Sequence, residues 1–437
     1  MFLDIIYIPL ILLSSPYIVF TLLTKKKFRV GLKQRLGFIK KRDGNKPCIW
    51  IHGSSVGEIM TGRTLIKGIE NDFPCFDIVV SSWTNTGVET AKKNFKDKLV
   101  FFFPLDVGLV VNRVFKKIRP TYMIFIELEI WPNFFIMTEK QKVPAALVNG
   151  RISEKSVRFY RRLGLFSKSF YDSIVHNKIY LARTNEDADR FARLSIPPEN
   201  IKVTGTMKYD NIKVNIDEFA KCELMDLFCI SSSDIVLVGG STHNGEEEML
   251  INVFASLRKE IKDLRLILVP RHIERVNDVT ALIEKMGFTA LKKSSLDMEK
   301  GSGKSNKSKD GIIVVVDTIG ELIDVYSLAD CVFVGRSLVP MGGQNMMEPA
   351  GLAKPVIFGP HTFNFEEESK LLLENDAAKL VNNQEELLHM TRYILLNPLE
   401  SKDMGLRAQK IVSKNRGATD INLAIIKEYF KSEVNLN

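Results

Sequence analysis

Short apolar runs alternate with longer amphipathic stretches along most of the chain after residue 45. In the first half the runs are CIWIHG, DIVVSS, LVFFFPLD, YMIFIELE, AALVNGR, KIYLART and IKVTGT. A polar stretch over residues 210–234 separates them from a second set, IVLVGGS, LRLILVPR, IIVVVDT, CVFVGRS and PVIFGP. Runs rich in Val, Ile and Phe between turn residues are typical of buried parallel strands. The pattern therefore predicts an α/β fold with two Rossmann-like domains that face each other across a cleft.

The length of the chain also favours two domains. A single hydrophobic core stops growing near ~250–300 residues, and this chain has 437. In addition, the segment IVLVGGSTHNGEEE repeats the strand, Gly-Ser turn and glutamate-bearing helix start of CIWIHGSSVGE. We expect a first domain over residues 25–210, a linker over 211–233, and a second domain over 234–437 that ends in a helix.

The segment over residues 292–311, KKSSLDMEKGSGKSNKSKDG, is rich in Ser, Lys and Gly. This composition predicts a mobile surface loop. Its GSGKS resembles the end of a phosphate-binding P-loop, but Met298 stands where the first glycine of that motif belongs and no predicted strand precedes it. The sequence therefore argues against a P-loop here.

The first 24 residues differ from the rest of the chain. FLDIIYIPLILLSSPYIVFTLL is apolar over roughly twenty residues, about the span of a bilayer core, and Asp4 is its one charge. Lys and Arg without any acid follow over residues 25–42, and the positive-inside rule keeps such a flank cytoplasmic. A signal peptide would need basic residues before the run and a cleavage site after it. We expect a membrane anchor at residues 1–24, spanning the bilayer or lying in its interface; a buried first helix is the alternative.

The amino-acid composition limits the classes of protein to which the chain can belong. An apolar share of 45% and a charged share of 26% are those of a globular protein. The formal net charge of +9 is matched by the excess in the basic flank, and no DNA- or RNA-recognition motif occurs. The five cysteines and six histidines show no metal-site spacing, which favours a reducing compartment. We therefore expect association with a membrane surface and with phosphates, and no nucleic-acid partner.

The turn after the first predicted strand carries a glutamate with two candidate roles. Ser55-Val56-Gly57-Glu58 matches a capping box, in which the Ser55 hydroxyl accepts from the Glu58 N–H and the Glu58 carboxylate reaches back to the Ser55 N–H. A carboxylate at such a turn also lies at the carboxyl ends of parallel strands, where α/β sheets bind ligands. Glu58 is either a cap alone or a cap that also acts chemically, and we expect the helix start to keep it ionised at neutral pH.

Polar side chains follow several other predicted strands. FIELEIWPN places Glu127 and Glu129 at a strand end, where alternation puts both on one face. At least one of the two carboxylates should lie in the cleft or pair with a base; a salt-bridged strand end is the alternative. An arginine at a strand end fits a phosphate, and a carboxylate beside a glycine-rich turn can bind a ribose hydroxyl. Further candidates of this kind, each of which could also be a solvated or salt-bridged surface group, are Lys208, Arg271, His272, Glu321 and Glu348.

A series of ordered motifs resembles a known family. GSSVGE, ELEIWPN, NGRIS, GTMKYD, GSTHNGEEE, PRHIER, DTIGEL, FVGRSLV, GGQNMMEPA and GPHTFNFEE occur in the order and approximate spacing of the Kdo transferases of bacterial lipopolysaccharide synthesis. The match runs from the amino-terminal segment to beyond residue 370. The resemblance implies the GT-B glycosyltransferase fold and a membrane-anchored amino terminus. It also implies transfer of 3-deoxy-D-manno-octulosonic acid (Kdo) from CMP-Kdo to a lipid A precursor at the cytoplasmic face of the cell inner membrane.

The resemblance further implies roles for individual residues. Glu58 corresponds to the proton acceptor, and Glu127 and Lys208 correspond to the groups that stabilise the transition state. Arg336 departs from the family, which more often has a second glycine there, and Gln344 to Glu348 replace a usual His-Asn-Pro-Leu-Glu run. The implied CMP contacts are Pro270, Arg271, Ile319, Gly320, Glu321, Asn345, Met346, Met347 and Glu348.

These residue types suit an inverting transfer. A carboxylate can serve as the base for a sugar hydroxyl, and a lysine can offset charge on the departing phosphate. We expect no metal or other cofactor, and the resemblance implies CMP-Kdo, the lipid A precursor lipid IVA and the membrane surface as partners. Two alternatives remain open: a GT-B enzyme with a UDP-sugar donor, and a catalytically silent lipid-binding scaffold.

Overall fold

The computed structural model describes residues 29–127, 129–176, 178–299 and 311–433, together with the single residues Asp4, Pro9, Leu13 and Thr24. The membrane anchor predicted at residues 1–24 lies outside the described residues except for those four. Within the described part of the chain, no helix combines the length and the apolar character needed to cross a bilayer.

The chain divides into two compact units. The first contains the described residues up to Asn211 and those from Asn415 onward, and the second contains Ile212–Lys414. The predicted linker over residues 211–233 is wrong, because this stretch includes a helix and belongs almost entirely to the second unit. The predicted extent of the second domain is also wrong, because the carboxyl-terminal helix belongs to the first unit.

The first unit is built on a parallel sheet of seven strands in the order β3-β2-β1-β4-β5-β6-β7. Every residue of β1, β4 and β5 is buried, which is why their sequences are nearly continuous apolar runs. All seven strands predicted for the first half of the chain are confirmed. They are β1 Cys48–His52, β2 Asp77–Ser82, β3 Leu99–Phe102, β4 Tyr122–Ile126, β5 Ala145–Gly150, β6 Lys178–Ala182 and β7 Ile201–Val203.

Helices cover both faces of this sheet. Consecutive residues of β1 point to opposite sides, so Trp50 lies in one apolar cluster and Ile51 in another. A Cβ atom on Gly62 would lie 2.4 Å from Ile126 Cδ1, so only glycine allows the second helix to approach β4 so closely. The α-helices are α1 Leu32–Arg35, α2 Val56–Asp72, α3 Asn85–Asn94, α4 Gly108–Ile118, α5 Pro132–Lys140, α6 Glu154–Phe166, α7 Lys168–Val175, α8 Asn185–Ala192 and, from the chain's end, α18 Ala418–Glu433.

Helix α18 joins the first unit through aromatic and polar contacts. The Phe430 ring stacks on Tyr122 with 3.8 Å between centroids, and the Tyr122 hydroxyl donates to the Phe430 carbonyl at 2.8 Å. Ile426 and Phe430 are fully buried. The apolar stripe of α18 is therefore part of the first unit's core, which corrects the predicted assignment.

The second unit contains another parallel seven-stranded sheet, ordered β10-β11-β9-β8-β12-β13-β14. The five strands predicted for the second half of the chain are confirmed. Two strands at the sheet's edges, β10 and β14, were not predicted. The strands are β8 Ile235–Thr242, β9 Leu264–Pro270, β10 Thr289–Lys292, β11 Ile312–Val315, β12 Cys331–Val334, β13 Val356–Phe358 and β14 Lys379–Leu380.

The helices of the second unit include one that corrects a prediction. Part of the predicted loop over residues 292–311 is helix α12, Lys293–Glu299, and Lys293 is buried with its ammonium 2.7 Å from Asp297. Residues 300–310 of that predicted loop lie outside the described residues. The helices are α9 Glu218–Leu227, α10 Glu246–Leu257, α11 Val276–Lys285, α12 Lys293–Glu299, α13 Leu322–Ser327, α14 Met347–Gly351, α15 Glu366–Glu374, α16 Gln384–Leu396 and α17 Pro398–Lys414.

Candidate active site

The order of strands in the first sheet points to its ligand-binding edge. Strand order reverses between β1 and β4, and ligands of open α/β sheets bind outside the carboxyl ends of strands at such a switch point. The chain leaves β1 toward Glu58 and leaves β4 toward Glu127. Two of the predicted catalytic residues therefore follow the two strands that flank the switch point.

Glu58 sits in the first turn of α2 and is only partly exposed. Its N–H donates to the Ser55 hydroxyl at 3.3 Å, which confirms half of the predicted capping box. The other half differs, because the carboxylate accepts from the Ser54 N–H at 2.5 Å rather than from the Ser55 N–H. The Ser55 hydroxyl also donates to Glu58 Oε1 at 2.9 Å. The carboxylate is thus fixed by two adjacent serines.

The surroundings of Glu58 raise its pKa to about 7. Burial is the main cause, and the negative charge of Glu129 adds to it. The hydrogen bond from Ser54 opposes this rise, while Glu127 contributes further in the same direction. The expectation that the helix start keeps Glu58 fully ionised at neutral pH is therefore wrong, because desolvation outweighs the local donors. A carboxylate that titrates near pH 7 suits a general base.

Glu127 and Glu129 do not lie on one face of a strand, as alternation predicted. Strand β4 ends at Ile126, and Glu127 adopts a left-handed backbone conformation with φ 65°. Non-glycine residues in this conformation cluster at functional sites. Both carboxylates nevertheless act on the pKa of Glu58, so the structure brings the three acids into one region.

Glu129 pairs with a histidine that sequence reasoning did not single out. His52, the last residue of β1, is fully buried, and its Nε2 lies 3.3 Å from Glu129 Oε2. The Trp131 indole N–H donates to the same carboxylate oxygen. His52 Nδ1 lies 3.1 Å from the Ser81 carbonyl oxygen, and the ring stacks on Phe103 at 3.6 Å. At least one of the two glutamates was expected to lie in the cleft or to pair with a base, and the contact of Glu129 with His52 agrees with the second alternative. The signal for His52 was a polar residue ending an apolar strand.

Asn149 connects Glu127 with the segment that carries Lys208. Its amide nitrogen lies 3.4 Å from Glu127 Oε1, and its side-chain oxygen accepts from the Met207 N–H at 3.0 Å. Lys208 follows Met207 in a 3₁₀ helix, Met207–Asn211, and is partly exposed. Asn149 lies in the NGRIS motif, but nothing in the sequence itself assigned it a contact.

The same 3₁₀ helix is tied to α2. The Asn211 side chain accepts from the Thr64 hydroxyl at 2.7 Å and donates to the Thr61 carbonyl at 3.3 Å. Because Thr61 and Thr64 lie on α2, these bonds link the segment of Lys208 to the helix of Glu58. The predicted catalytic residues of the first unit therefore lie on segments joined by direct hydrogen bonds.

The repeated motif in the second unit provides an internal comparison for Glu58. Glu246 occupies the equivalent helix start in α10 and is fully buried. Its carboxylate accepts from four backbone N–H groups, those of His243, Arg336, Ser337 and Leu338, at 2.7–3.1 Å. Burial raises the pKa of Glu246, and these four hydrogen bonds oppose the rise. Glu246 is therefore a structural carboxylate, whereas Glu58 is partly exposed and, among the described residues, its carboxylate accepts hydrogen bonds from Ser54 and Ser55 alone.

In the second unit, three predicted CMP contacts interact with one another. Arg271 follows the end of β9 and is exposed. Burial raises the pKa of Glu348, while a hydrogen bond from Asn345 and the charge of Arg271 oppose this effect. The Asn345 amide donates to Glu348 Oε1 at 3.1 Å. An arginine, an amide and a carboxylate therefore meet at the carboxyl edge of the second sheet.

The remaining predicted contacts differ in what they can offer a ligand. Ile319 is 77% exposed, and Gly320 has a positive φ of 97°. Glu321 accepts from the Thr318 hydroxyl and forms a 3.0 Å ion pair with Lys293. Met346 and Met347 are buried, so only their backbone groups are available, and the Met347 N–H already donates to the Asn345 side chain at 3.2 Å.

Arg336, the departure from the family pattern, lies two residues after β12 at the second sheet's switch point. Its φ of 58° is a conformation that glycine adopts without strain. Its backbone N–H donates to Glu246 at 2.7 Å, and its guanidinium donates to the Met341 carbonyl at 3.0 Å. Burial, then Arg275 and to a smaller extent Arg336, lower the pKa of His243. Arg336 therefore adds a positive charge beside this histidine.

Among the described residues, no group of three or more His, Cys, Asp or Glu side chains could hold a metal ion.

Comparison with known proteins assigns the family. A sequence model of the 3-deoxy-D-manno-octulosonic-acid transferases matches residues 30–211. A 3-deoxy-D-manno-octulosonic acid transferase of Haemophilus influenzae is 31% identical over 439 residues, covering 98% of this chain and 99% of the relative. A transferase of the same name from Rickettsia felis is 32% identical and covers 88% of this chain and 80% of the relative.

Solved structures support the fold alone. A glycosyltransferase from Rickettsia africae aligns with a TM-score of 0.53 at 15% identity and covers 90% of this chain and 100% of its own. Since a relative from Haemophilus influenzae is similar over nearly the full length of both sequences, the chain belongs to the family of 3-deoxy-D-manno-octulosonic acid transferases.

Proposed function

We propose that this glycosyltransferase moves Kdo from CMP-Kdo to a lipid A precursor, lipid IVA, and inverts the anomeric configuration. The observation that carries the proposal is the state of Glu58, a partly exposed carboxylate at the switch point whose pKa is about 7. A base of this pKa is half ionised at neutral pH and can accept a proton from a sugar hydroxyl. Family membership supports Kdo as the transferred sugar.

In the proposed reaction, an acceptor hydroxyl attacks the anomeric carbon of Kdo. The new C–O bond forms as the bond from that carbon to the CMP phosphate breaks, and CMP leaves with the bonding electrons. The hydroxyl proton passes to Glu58. One direct displacement at one carbon inverts its configuration.

We assign Glu127 and Lys208 to charges that develop during this displacement. Positive charge grows at the anomeric carbon of a sugar when the leaving group departs early, and the Glu127 carboxylate can stabilise it. Negative charge grows on the CMP phosphate, and the Lys208 ammonium can stabilise that charge. The link from Glu127 through Asn149 to Met207 supports a joint role for these two residues.

We assign donor binding to the carboxyl edge of the second sheet. Arg271 is exposed there and suits a phosphate, and Glu348 beside Asn345 suits the ribose hydroxyls. Ile319, Gly320 and Glu321, with Pro270 and the backbone of Met346 and Met347, would complete the site. The proposed chemistry calls for no further cofactor, because the leaving group is a nucleoside monophosphate.

We further propose that the enzyme works at the cytoplasmic face of the cell inner membrane. Helix α6 supports this, since Phe159 and Leu165 are 57% and 86% exposed on it. Arg158, Arg161 and Arg162 are exposed on the same helix. Apolar side chains among arginines are typical of surfaces that bind anionic lipids.

The test is a transfer assay with defined substrates. The protein is incubated with CMP-Kdo and a tetraacyl lipid A precursor, CMP release is measured, and the lipid product is weighed by mass spectrometry. We expect CMP release that depends on the acceptor, and a product heavier by one or more Kdo residues. CMP, but not UDP, should compete with the donor.

Two outcomes would contradict the proposal. Competition by UDP alone would favour the alternative of a UDP-sugar donor. Absence of CMP release together with retained binding to lipid vesicles would favour the silent scaffold.

A further inference from the structure

Asn149 is a buried amide whose two ends reach two different functional segments. It is the penultimate residue of β5 and is fully buried. Its nitrogen lies 3.4 Å from Glu127 Oε1, and its oxygen accepts from the Met207 N–H at 3.0 Å. A buried amide needs partners for both its donor and its acceptor. Here both partners belong to segments that carry predicted catalytic residues.

The backbone at Asn149 and at its partner Glu127 is unusual. In the parallel pairing of β4 with β5, Ile126 lies beside Val148; Glu127 follows the end of β4, and Asn149 is the residue after Val148 in β5. Both adopt left-handed conformations, with φ of 65° and 52°. The Glu127 N–H also donates to the Val148 carbonyl at 2.9 Å. Conformations of this kind persist only where the surrounding contacts hold them.

We propose that Asn149 is a positioning residue, whose side-chain amide fixes the Glu127 carboxylate relative to the segment that carries Lys208. This inference rests on the proposed function, because the roles of Glu127 and Lys208 come from it. The amide is suited to the task because it has one donor end and one acceptor end. A carboxylate at this position would keep the acceptor for Met207 and would repel Glu127.

A purely structural role for Asn149 predicts a different result for its replacement. In that case the amide would only satisfy buried groups at the end of β5, and its replacement would lower stability without a specific effect on turnover. The two roles separate when turnover, donor binding and stability are measured on the same variants.

The experiment is a double-mutant cycle of Asn149→Asp with Glu127→Gln in the full chain. Asn149→Asp keeps the size of the side chain and the acceptor for the Met207 N–H. We expect it to lower kcat by about 10- to 100-fold, the cost of a misplaced group in an active site. The KM for CMP-Kdo and the affinity for CMP should stay within about 2-fold.

In the Glu127→Gln background, the same substitution should have little effect. The new amide at position 127 can donate to the new carboxylate at position 149, so the contact is restored with its direction reversed. We expect kcat to change by less than about 3-fold relative to Glu127→Gln alone. The melting temperature should follow the same pattern, with a drop in the wild-type background and none in the Glu127→Gln background.

Asn422→Asp serves as the matched control. Asn422 is another buried asparagine of the first unit, and its amide donates to the Thr204 hydroxyl at 3.1 Å and to the Ala418 carbonyl at 2.6 Å. We expect a lower melting temperature and a kcat within about 2-fold of the wild type.

The results that would overturn the inference differ from those that would overturn the proposed function. An unchanged kcat in Asn149→Asp, or an equal loss in both backgrounds, would show that Asn149 does not act through Glu127. If wild-type protein transfers no Kdo, the proposed function fails, and the positioning role with it. The melting-temperature cycle would then still report whether the two side chains interact.

Discussion

The two carboxylate oxygens of Glu58 each accept one hydrogen bond from a neighbouring serine. The donors are the Ser55 hydroxyl at 2.9 Å and the Ser54 N–H at 2.5 Å. A carboxylate offers about four acceptor positions, so capacity for a proton or a substrate hydroxyl remains. The carboxylate of Glu246, at the equivalent helix start, accepts hydrogen bonds from four backbone N–H groups and is fully buried. Capping and proton transfer are thus compatible at Glu58 and not at Glu246.

Glu58→Gln should separate these two roles. The new side chain can accept from the Ser54 N–H and donate to the Ser55 hydroxyl, so we expect a stability loss below about 1 kcal/mol. It cannot take a proton, so turnover should fall by roughly 10²–10⁴-fold, the usual contribution of general base catalysis. Thermal unfolding and CMP release on the same preparation provide the two measurements. Near-normal turnover would redirect the search for the base to Glu127.

The control for this prediction is Glu246→Gln. An amide nitrogen cannot accept, so two of the four backbone N–H groups would lose their partner. Each buried unsatisfied donor costs about 1–3 kcal/mol. We therefore expect a clear fall in the melting temperature of Glu246→Gln, whereas Glu58→Gln should lose little stability.

The pH dependence of the reaction should report the pKa of Glu58. Because the base must be ionised, kcat/KM should rise with pH and level off above about pH 7. Glu129→Gln removes a negative charge that raises this pKa, so the rising limb should move to lower pH. His52, Glu127 and Glu129 are the titratable groups at these strand ends. A rising limb that stays in place in Glu129→Gln would contradict the electrostatic explanation.

At the scale of single elements, the carboxyl ends of β9 and β11 and the turn before α14 supply the proposed donor site. Arg271 follows β9, Ile319 follows β11, and Asn345 precedes α14. Parallel strands bring their carboxyl ends to one edge of the sheet, which places the three groups on the same side.

Replacement of Arg271 or Glu348 by alanine should weaken CMP binding by about 1–3 kcal/mol. This is the usual cost of losing a hydrogen bond to a charged group. Affinity for the lipid acceptor should stay nearly unchanged. Calorimetric titration with CMP measures the first effect, and vesicle binding measures the second.

Arg392→Ala is the matched control for the donor site. Arg392 lies on α16 of the same unit and forms an exposed ion pair with Glu260 at 2.8 Å. Its removal changes the net charge by the same amount as Arg271→Ala but leaves the proposed donor site intact, so CMP affinity should not change. Intact CMP affinity in both donor-site variants would show that the donor site is misplaced.

At the scale of the whole molecule, charge and apolar surface bear on membrane association. Basic residues dominate the flank over residues 25–42, and the exposed face of α6 carries three arginines with Phe159 and Leu165. Screening weakens attraction between exposed charges and headgroups as salt rises. Binding to anionic vesicles through these surfaces should therefore decrease with ionic strength.

Deletion of residues 1–23 should leave a folded protein that binds CMP but no longer sediments with membranes at high ionic strength, where attraction through the remaining basic surfaces is screened. The reason is that the first strand, β1, and the motifs that carry the candidate site begin after the basic flank. The deletion also removes Asp4, whose carboxylate accepts from the Gly108 N–H at 2.9 Å, so a small loss of stability is expected. Sedimentation with vesicles and CMP calorimetry test the prediction. Loss of folding would indicate that the segment belongs to the core.

The local pattern of apolar and polar residues was sufficient to predict most strands of the fold. A strand that is buried on both faces has a nearly continuous apolar sequence, which can be recognised without the structure. Every strand predicted from such a run is present. The edge strands β10 and β14 have partly exposed residues and no apolar run, so nothing local marked them. The helix start at Glu58 was also readable, because a capping box lies within four consecutive residues.

Tertiary structure alone decided how distant residues meet. The sequence placed α18 in the second domain, but its apolar stripe packs on Tyr122 of the first unit. The left-handed turn at Glu127, its link through Asn149 to Met207, and the pairing of Glu129 with His52 join residues from different strands. The sequence by itself determined which strands and turns form, because those depend on neighbouring residues. The partners of Glu58, Glu127 and Glu129 depend on strand order and register, which no local pattern contains.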